Sequence, residues 1–388
     1  MTPIHGTTAP GFEPVRAAFA SNFEKHGEVG AACAVYLRGL PVVDLWGGLA
    51  DPDRQRPWRE DTLQLVFSAT KGVTAVCMLL LAERGEIDLD APVARYWPEF
   101  AAQGKGEIPV RWVMCHRAGL AAVDGQLTLD EVLAGDPVVR AIAAQAPNWP
   151  PGEGHGYHAR SYGWVLGELV RRVTGRTLGR FFADEIAAPL GLEFWIGLPE
   201  AQDARVAKLL PAPPAAPELQ GVIDKMMAPD TLLGRVIRGP SLLFGYDDMW
   251  NRREMRVAEM PSSNGVGSAR ALARLYASLL GAVDGIRLLR PETIEMACRV
   301  QSDGADRVLH LATRFGTGFM LAPTLALAAQ PSCFGHPGAG GSLALADRES
   351  DFSFAYVMNQ MSLATVGDPR AAALLQAVYD SLADRPTS

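Results

Sequence analysis

After Gly72 the chain runs Val73-Thr74-Ala75-Val76-Cys77-Met78-Leu79-Leu80-Leu81, with a single polar side chain. A helix that is apolar all round cannot face water, so this segment has to lie in the middle of the domain that forms around it. Residues 69–84 are helix formers or apolar, Gly85 supplies a stop, and Leu65-Val66-Phe67 reads as the end of an extended segment. The head of the helix is Ser68-Ala69-Thr70-Lys71. Positions i and i+3 share a face, so Lys71 can bring its nitrogen to the Ser68 hydroxyl. Ser68 falls in the first turn, where unpaired N–H groups and the positive end of the dipole favour a developing negative charge. Desolvation penalises a lysine placed there, so it needs a reason. One reason is a nucleophile with its own base; the other is a Ser68 cap with Lys71 snorkelling to water.

The rest of the chain predicts an α/β (α+β) arrangement. Residues 10–25 have helical spacing of apolar side chains, followed by strand-like runs at 30–37 and 41–46 around an Arg38-Gly39 turn. The other end mirrors this, with strand-like runs at 342–346 and 352–358 and a closing helix over 370–382. An antiparallel sheet built from both chain ends and flanked by helices leaves the middle as an inserted, mainly helical region. The expected division is residues 1–70 with 262–388 for the sheet domain and 71–261 for the helical one. Amphipathic helices are expected at 160–174 and 177–190. Residues 199–261 dissolve into Pro-Ala-Pro-Pro-Ala-Ala-Pro at 211–217 and scattered Met226, Met227, Phe244 and Trp250, the composition of a lid-like binding wall or of a tethered surface loop.

Composition narrows the function classes. The 388 residues are 48% hydrophobic with a formal charge of −7 and no basic block long enough to grip phosphates, so nucleic acid is not an expected partner. No run reaches membrane-spanning length, and the first residues lack the basic start and apolar core of a secretory leader. Five cysteines, odd in number and scattered, fit reduced core thiols. A cytoplasmic protein is expected. His155 and His158 lack further ligands at zinc spacing, so no metal or other cofactor is expected. Ser268, after Asn264-Gly265-Val266-Gly267, reads as a helix cap.

Two more motifs bear on chemistry. Gly156-Tyr157-His158 follows a proline- and glycine-punctuated turn and precedes a helix, a placement that can present Tyr157 into a cleft. Gly335-His336-Pro337-Gly338-Ala339-Gly340-Gly341-Ser342 leads into a strand, and so many glycines mark close approach of backbone to something else. Read singly, Tyr157 is a core aromatic and the glycines are a bulge or turn.

In this order, Ser-x-x-Lys, Tyr on a loop and His-x-Gly before a C-terminal strand, the chain resembles the serine β-lactamase and penicillin-recognising superfamily. Within it the resemblance is to the family VIII carboxylesterases, which share the fold of class C β-lactamases. It extends over nearly the whole chain and includes Gly85-Glu86-Ile87-Asp88-Leu89-Asp90 and His116-Arg117-Ala118-Gly119-Leu120. Tyr157-His158-Ala159 stands where class C enzymes have Tyr-x-Asn, and His336-Pro337-Gly338 where they have Lys-Thr-Gly. Exchanging a permanent cation for an imidazole weakens recognition of a substrate carboxylate and favours neutral esters.

The resemblance implies a two-step acyl transfer with catalytic Ser68, Lys71 and Tyr157. Ser68 gives its proton to Lys71 and Tyr157, and Tyr157, acidified by the Lys71 ammonium, protonates the leaving alcohol. The oxyanion is expected between the backbone N–H groups of Ser68 and Ala339, with His336, Gly338 and His158 as substrate-binding residues. A small-molecule carboxylic ester with a short to medium acyl chain is the expected substrate, with weak β-lactamase or acyl-transfer activity beside it. A β-lactamase, peptidase or amidase on the same scaffold, and a non-catalytic penicillin-binding-like module, are the alternatives.

Overall fold

The structure, a computed structural model, describes residues 1–363 and 367–384. Residues 30–37 and 352–358 are apolar almost throughout instead of alternating, the pattern of strands covered on both faces. They pair with each other in the main sheet. Along the chain the strands are β1 (Ile4–Thr8), β2 (Gly30–Leu37), β3 (Leu40–Asp51), β4 (Arg56–Pro57), β5 (Gln64–Leu65), β6 (Phe194–Trp195), β7 (Val266–Gly267), β8 (Ser302–Ala305), β9 (Ala312–Phe315), β10 (Met320–Leu321), β11 (Cys333–Pro337), β12 (Leu343–Asp347) and β13 (Phe352–Met358). The main sheet is antiparallel in the order β1-β3-β2-β13-β12-β11-β10-β9-β8, with β4 added to β3; β5, β7 and β6 form a small second sheet. The pairing of β2 with β13 runs from Ala31 opposite Met358 to Leu37 opposite Phe352. The two ends of the chain thus share one sheet, as the sequence predicts. Arg38 and Gly39 both take positive φ, 52° and 77°, the turn geometry that matches strand twist.

The longer helices are α1 (Glu13–Lys25), α2 (Thr70–Glu83), α3 (Ser161–Thr174), α4 (Ala269–Leu280) and α5 (Pro369–Ala383). The two-residue period of β13 sends Phe352, Phe354 and Tyr356 toward α1 and α5, where they meet Val15, Phe19, Leu374 and Val378. Ala355 and Val357 point the other way, joined by Ala34, Ala344 and Ala346, and small side chains there let α4 pack closely through Leu272, Leu275 and Leu279. Every residue of α2 from Thr70 to Leu81 is buried, which is what its apolar run required. Ser268 caps α4 by accepting the Ala271 N–H at 3.1 Å.

Two differences from the sequence reading stand out. Residues 199–261 are not irregular throughout: helices form over Pro217–Met226 and Leu232–Arg238. The last proline of the Pro-Ala run occupies the first turn of the former, where its missing N–H costs nothing, and Thr231 caps the latter by accepting the Gly234 N–H. β1, and β8 to β10, were not anticipated, because short strands at one edge of a sheet lack the apolar run that marks the centre. Among the described residues no helix is long and apolar enough to cross a membrane.

Candidate active site

The site is built where α2 begins. β5 ends at Leu65, Val66 donates its N–H to the Gly265 carbonyl at 2.9 Å, and a 3-10 turn over Phe67–Ala69 leads into α2. Phe67 has φ of 46°, a left-handed conformation that a bulky side chain rarely adopts. Edge-on contacts hold its ring, with centroids 5.4 Å from Tyr246 and 5.0 Å from Trp250. Thr70 locks the turn from inside, donating its hydroxyl to the Phe67 carbonyl at 2.5 Å and accepting the Gly265 N–H at 2.9 Å. Ser68, between them, lines a cavity of about 20 Å³ with Tyr157, Ala159, Arg160, Ile237, Tyr246 and Ser263.

Lys71 does not snorkel. It is fully buried, and its Nζ lies 2.6 Å from the Ala159 carbonyl, 2.9 Å from the Ser262 carbonyl and 3.1 Å from Ser68 Oγ. No carboxylate pairs with it among the described residues. Burial, and then the charge of Arg160, holds its pKa well below the usual lysine value. A neutral amine has two N–H groups and one lone pair. Two carbonyls take the N–H groups, so the lone pair is left for the Ser68 hydroxyl.

Tyr157 is brought in from the loop before α3. It lines the same small cavity as Ser68, and Lys71 Nζ stands 4.9 Å from its ring centroid. Burial pushes the phenol above its usual pKa, the Ser68 hydroxyl opposing this, so Tyr157 is a neutral donor. Its backbone is fixed by Asp306, whose Oδ1 accepts the N–H groups of Tyr157 (3.1 Å), Val308 (2.8 Å) and Leu309 (2.8 Å). Asp306 Oδ2 accepts from Thr313 Oγ1 at 3.1 Å, and that hydroxyl meets His155 Nε2 at 2.7 Å. His116 and Phe315 pack on the Tyr157 ring.

The other end of the site comes from β11. Gly338 gives its N–H to the Ser342 carbonyl at 2.7 Å and its carbonyl to the Gly341 N–H at 3.2 Å, so neither group is left for substrate. What position 338 requires is the absence of a side chain, because a Cβ there would overlap the Val66 carbonyl and Ser342 Oγ. The gap lets β11 dock on the segment before Ser68, a contact sealed by Ser342 Oγ donating to the Val66 carbonyl at 2.9 Å. Ala339 then opens a 3-10 turn beyond it.

Two residues expected to bind substrate are placed elsewhere. His158 is 1% exposed; its Nε2 accepts the Leu120 N–H at 2.9 Å and its Nδ1 lies 2.7 Å from the Gly156 carbonyl, so both ring nitrogens brace the loop. His336 is buried with its ring centroid 6.0 Å from that of Tyr157, outside the cavity lining. Its Nδ1 faces the Pro337 carbonyl at 2.7 Å, and its Nε2 has no hydrogen-bond partner. Burial and the neighbouring Lys71 push the imidazole down to about 3. The imidazole therefore stays neutral in mild acid. Arg160, Ser262, Asp306 and Ser342 were missed: backbone contacts across 76 to 276 residues of sequence leave no local pattern.

A beta-lactamase family model matches residues 15–379. Curated proteins similar to the chain include the esterase/beta-lactamase LipL of Mycobacterium tuberculosis, 36% identical over 374 residues that make up 92% of this chain and 83% of LipL. Similar solved structures include a family VIII carboxylesterase with TM-score 0.88 and 37% identity, covering 98% of this chain and 100% of that one. Another is EstA from Arthrobacter nitroguajacolicus, with TM-score 0.86 and 36% identity over 99% of each chain.

Proposed function

The chain belongs to the beta-lactamase family, and from that premise we propose that it works as a carboxylesterase through a Ser68 acyl-enzyme. The protein hydrolyses carboxylic esters, as its full-length likeness to carboxylesterases of this fold indicates. The observation that carries the mechanism is the buried Lys71 amine, its nitrogen 3.1 Å from Ser68 Oγ and held by the Ala159 and Ser262 carbonyls, with burial lowering its pKa.

Lys71 takes the Ser68 proton as Oγ attacks the ester carbonyl. Negative charge on the carbonyl oxygen is met by the N–H groups of Ser68 and Ala339. Tyr157 protonates the departing alcohol and is reprotonated from Lys71; water then repeats the sequence in reverse to release the acid. His336 stays neutral beside Tyr157. We assign short to medium acyl chains to the small pocket that Ser68 shares with Tyr157, Ile237 and Tyr246, and a cytoplasmic site of action, since the five cysteines are free. The division into residues 1–70 with 262–388 and 71–261 is part of the same reading, with β6 from the middle segment joining the small sheet.

An active-site phosphonate should add its mass to the peptide holding Ser68, and Ser68→Ala should lose ester turnover. Labelling at another residue, or full activity in that variant, ends the reading. Weak β-lactam hydrolysis is a second activity to assay, because LipL is named for both.

A further inference from the structure

Arg160 lies one turn of sequence beyond Tyr157 at the head of α3, and it is 5% exposed. A buried guanidinium keeps its charge and normally has a carboxylate beside it. Among the described residues Arg160 has none. Among the described residues only one of its nitrogens is occupied: Nη1 donates to the carbonyls of Val236 at 3.3 Å, Ile237 at 2.5 Å and Gly239 at 3.2 Å. The guanidinium carbon stands 4.2 Å from the Phe244 ring centroid and 5.9 Å from that of Trp250. Nε is buried with no partner, and no hydrogen bond reaches Nη2.

Nε and Nη2 are the two donors of one side of the fork, the side a carboxylate grips with two parallel bonds. That side is vacant on a residue that lines the cavity with Ser68 and Tyr157. Three carbonyls and two aromatic faces hold the plane in place, so little side-chain freedom is lost when an anion docks. Burial lowers the guanidinium to about 10, which leaves it charged at neutral pH. The sequence reading favoured neutral esters because it looked for a cation only at position 336; the structure supplies one on the Tyr157 side.

We infer that Arg160 is a specificity-determining residue that receives a carboxylate on the acyl part of the substrate, making half-esters of short dicarboxylic acids the preferred class. The acyl part is assigned because it stays in the cavity, bonded to Ser68, through both steps, whereas the alcohol has to leave. This rests on Ser68 being the acylated residue.

The test compares monoethyl glutarate with ethyl pentanoate, matched in acyl length, by following acid release in a pH-stat. The wild-type kcat/KM for the half-ester should exceed that for the neutral ester by roughly tenfold to a hundredfold, the range of a charge-assisted hydrogen bond. In Arg160→Gln the ratio should fall to about one or below, and Arg160→Lys should restore part of it. A ratio near one in the wild type overturns the proposal, as does a preference that Arg160→Gln leaves intact or an equal loss on both substrates. Because Arg160 also clamps residues 236–239, the Gln variant can fail to fold. Inhibition of the wild type covers that case: glutarate should inhibit at least roughly tenfold more strongly than glutaramide, and equal inhibition overturns the proposal. Phosphonate labelling of Ser68 separates the two readings, since labelled Ser68 without a half-ester preference sinks only the role of Arg160.

Discussion

A lysine can act as a base near neutral pH only if its charged form is made costly, and residue 71 is placed to do this by geometry more than by neighbours. It is surrounded by backbone carbonyls and Ser68, with no carboxylate to stabilise an ammonium, and burial dominates the fall in its pKa. The acid limb of kcat/KM should therefore belong to Lys71 and lie far below the usual lysine value of 10.5, activity being lost as pH falls through it. A pH–rate profile checks this, and a limb near that value would refute it. Lys71 bonds to Ser68 and Tyr157 lines the same cavity, so Lys71→Ala and Tyr157→Phe should each cost roughly a hundredfold or more, and the double variant far less than the product. Multiplicative losses in steady-state kinetics would mean that they act independently. His336, held down to about 3, stays neutral at pH 6 as at pH 7. The ratio of cephalosporin to aryl-ester turnover should accordingly be flat across that interval, and a rise on acidification would show a charged imidazole.

At the scale of elements, the site depends on β11 reaching the turn before α2. Gly338→Ala should push β11 off the Val66 carbonyl and move the Ala339 N–H, lowering kcat by roughly a hundredfold while circular dichroism stays native. Unchanged kcat would remove Ala339 from the oxyanion site. The Tyr157 loop is held instead by buried imidazoles. His158 is pushed down to about 4, and His116 also lies well below the ordinary histidine value of 6.5, burial being the main cause for each. Such groups bind no proton when folded and one when unfolded, so their stability is present above pH 6.5 and lost as pH falls toward 4. Each contributes a slope of about 1.4 kcal/mol per pH unit in that window. Urea midpoints measured between pH 7 and 4.5 should fall accordingly. Glu28 works in the opposite sense: raised by burial to about 7, it favours the folded state below pH 4.5 and loses that contribution as pH rises. Glu28→Gln should therefore steepen the acid loss, and an unchanged slope would assign Glu28 an ordinary pKa.

The whole molecule joins its two ends around this site. Arg370 on α5 reaches across to donate to the Gly340 carbonyl at 2.8 Å, next to Ala339, while pairing with Asp368 at 2.8 Å and Glu28 at 3.3 Å, all buried. Removing the cation leaves the buried Asp368 carboxylate uncompensated and drives Glu28 to its protonated form, so Arg370→Met should destabilise by about 3–5 kcal/mol and loosen the oxyanion turn. Denaturant titration with parallel ester kinetics tests both, and a neutral outcome would show that the terminal helix does not support the site. How much of this was legible follows the range of the forces. The buried helix, the central strands 30–37 and 352–358, and the Ser68–Lys71 pair come from periodicity and i,i+3 spacing, which act within a few residues and are written locally. The lowered pKa of Lys71, the burial of His336 and His158 and the vacant side of Arg160 depend on carbonyls and rings far away in the chain. Whether water is excluded from a group, and which backbone atoms stand in its place, is decided only when those segments pack, and desolvation then sets the charge that the chemistry uses.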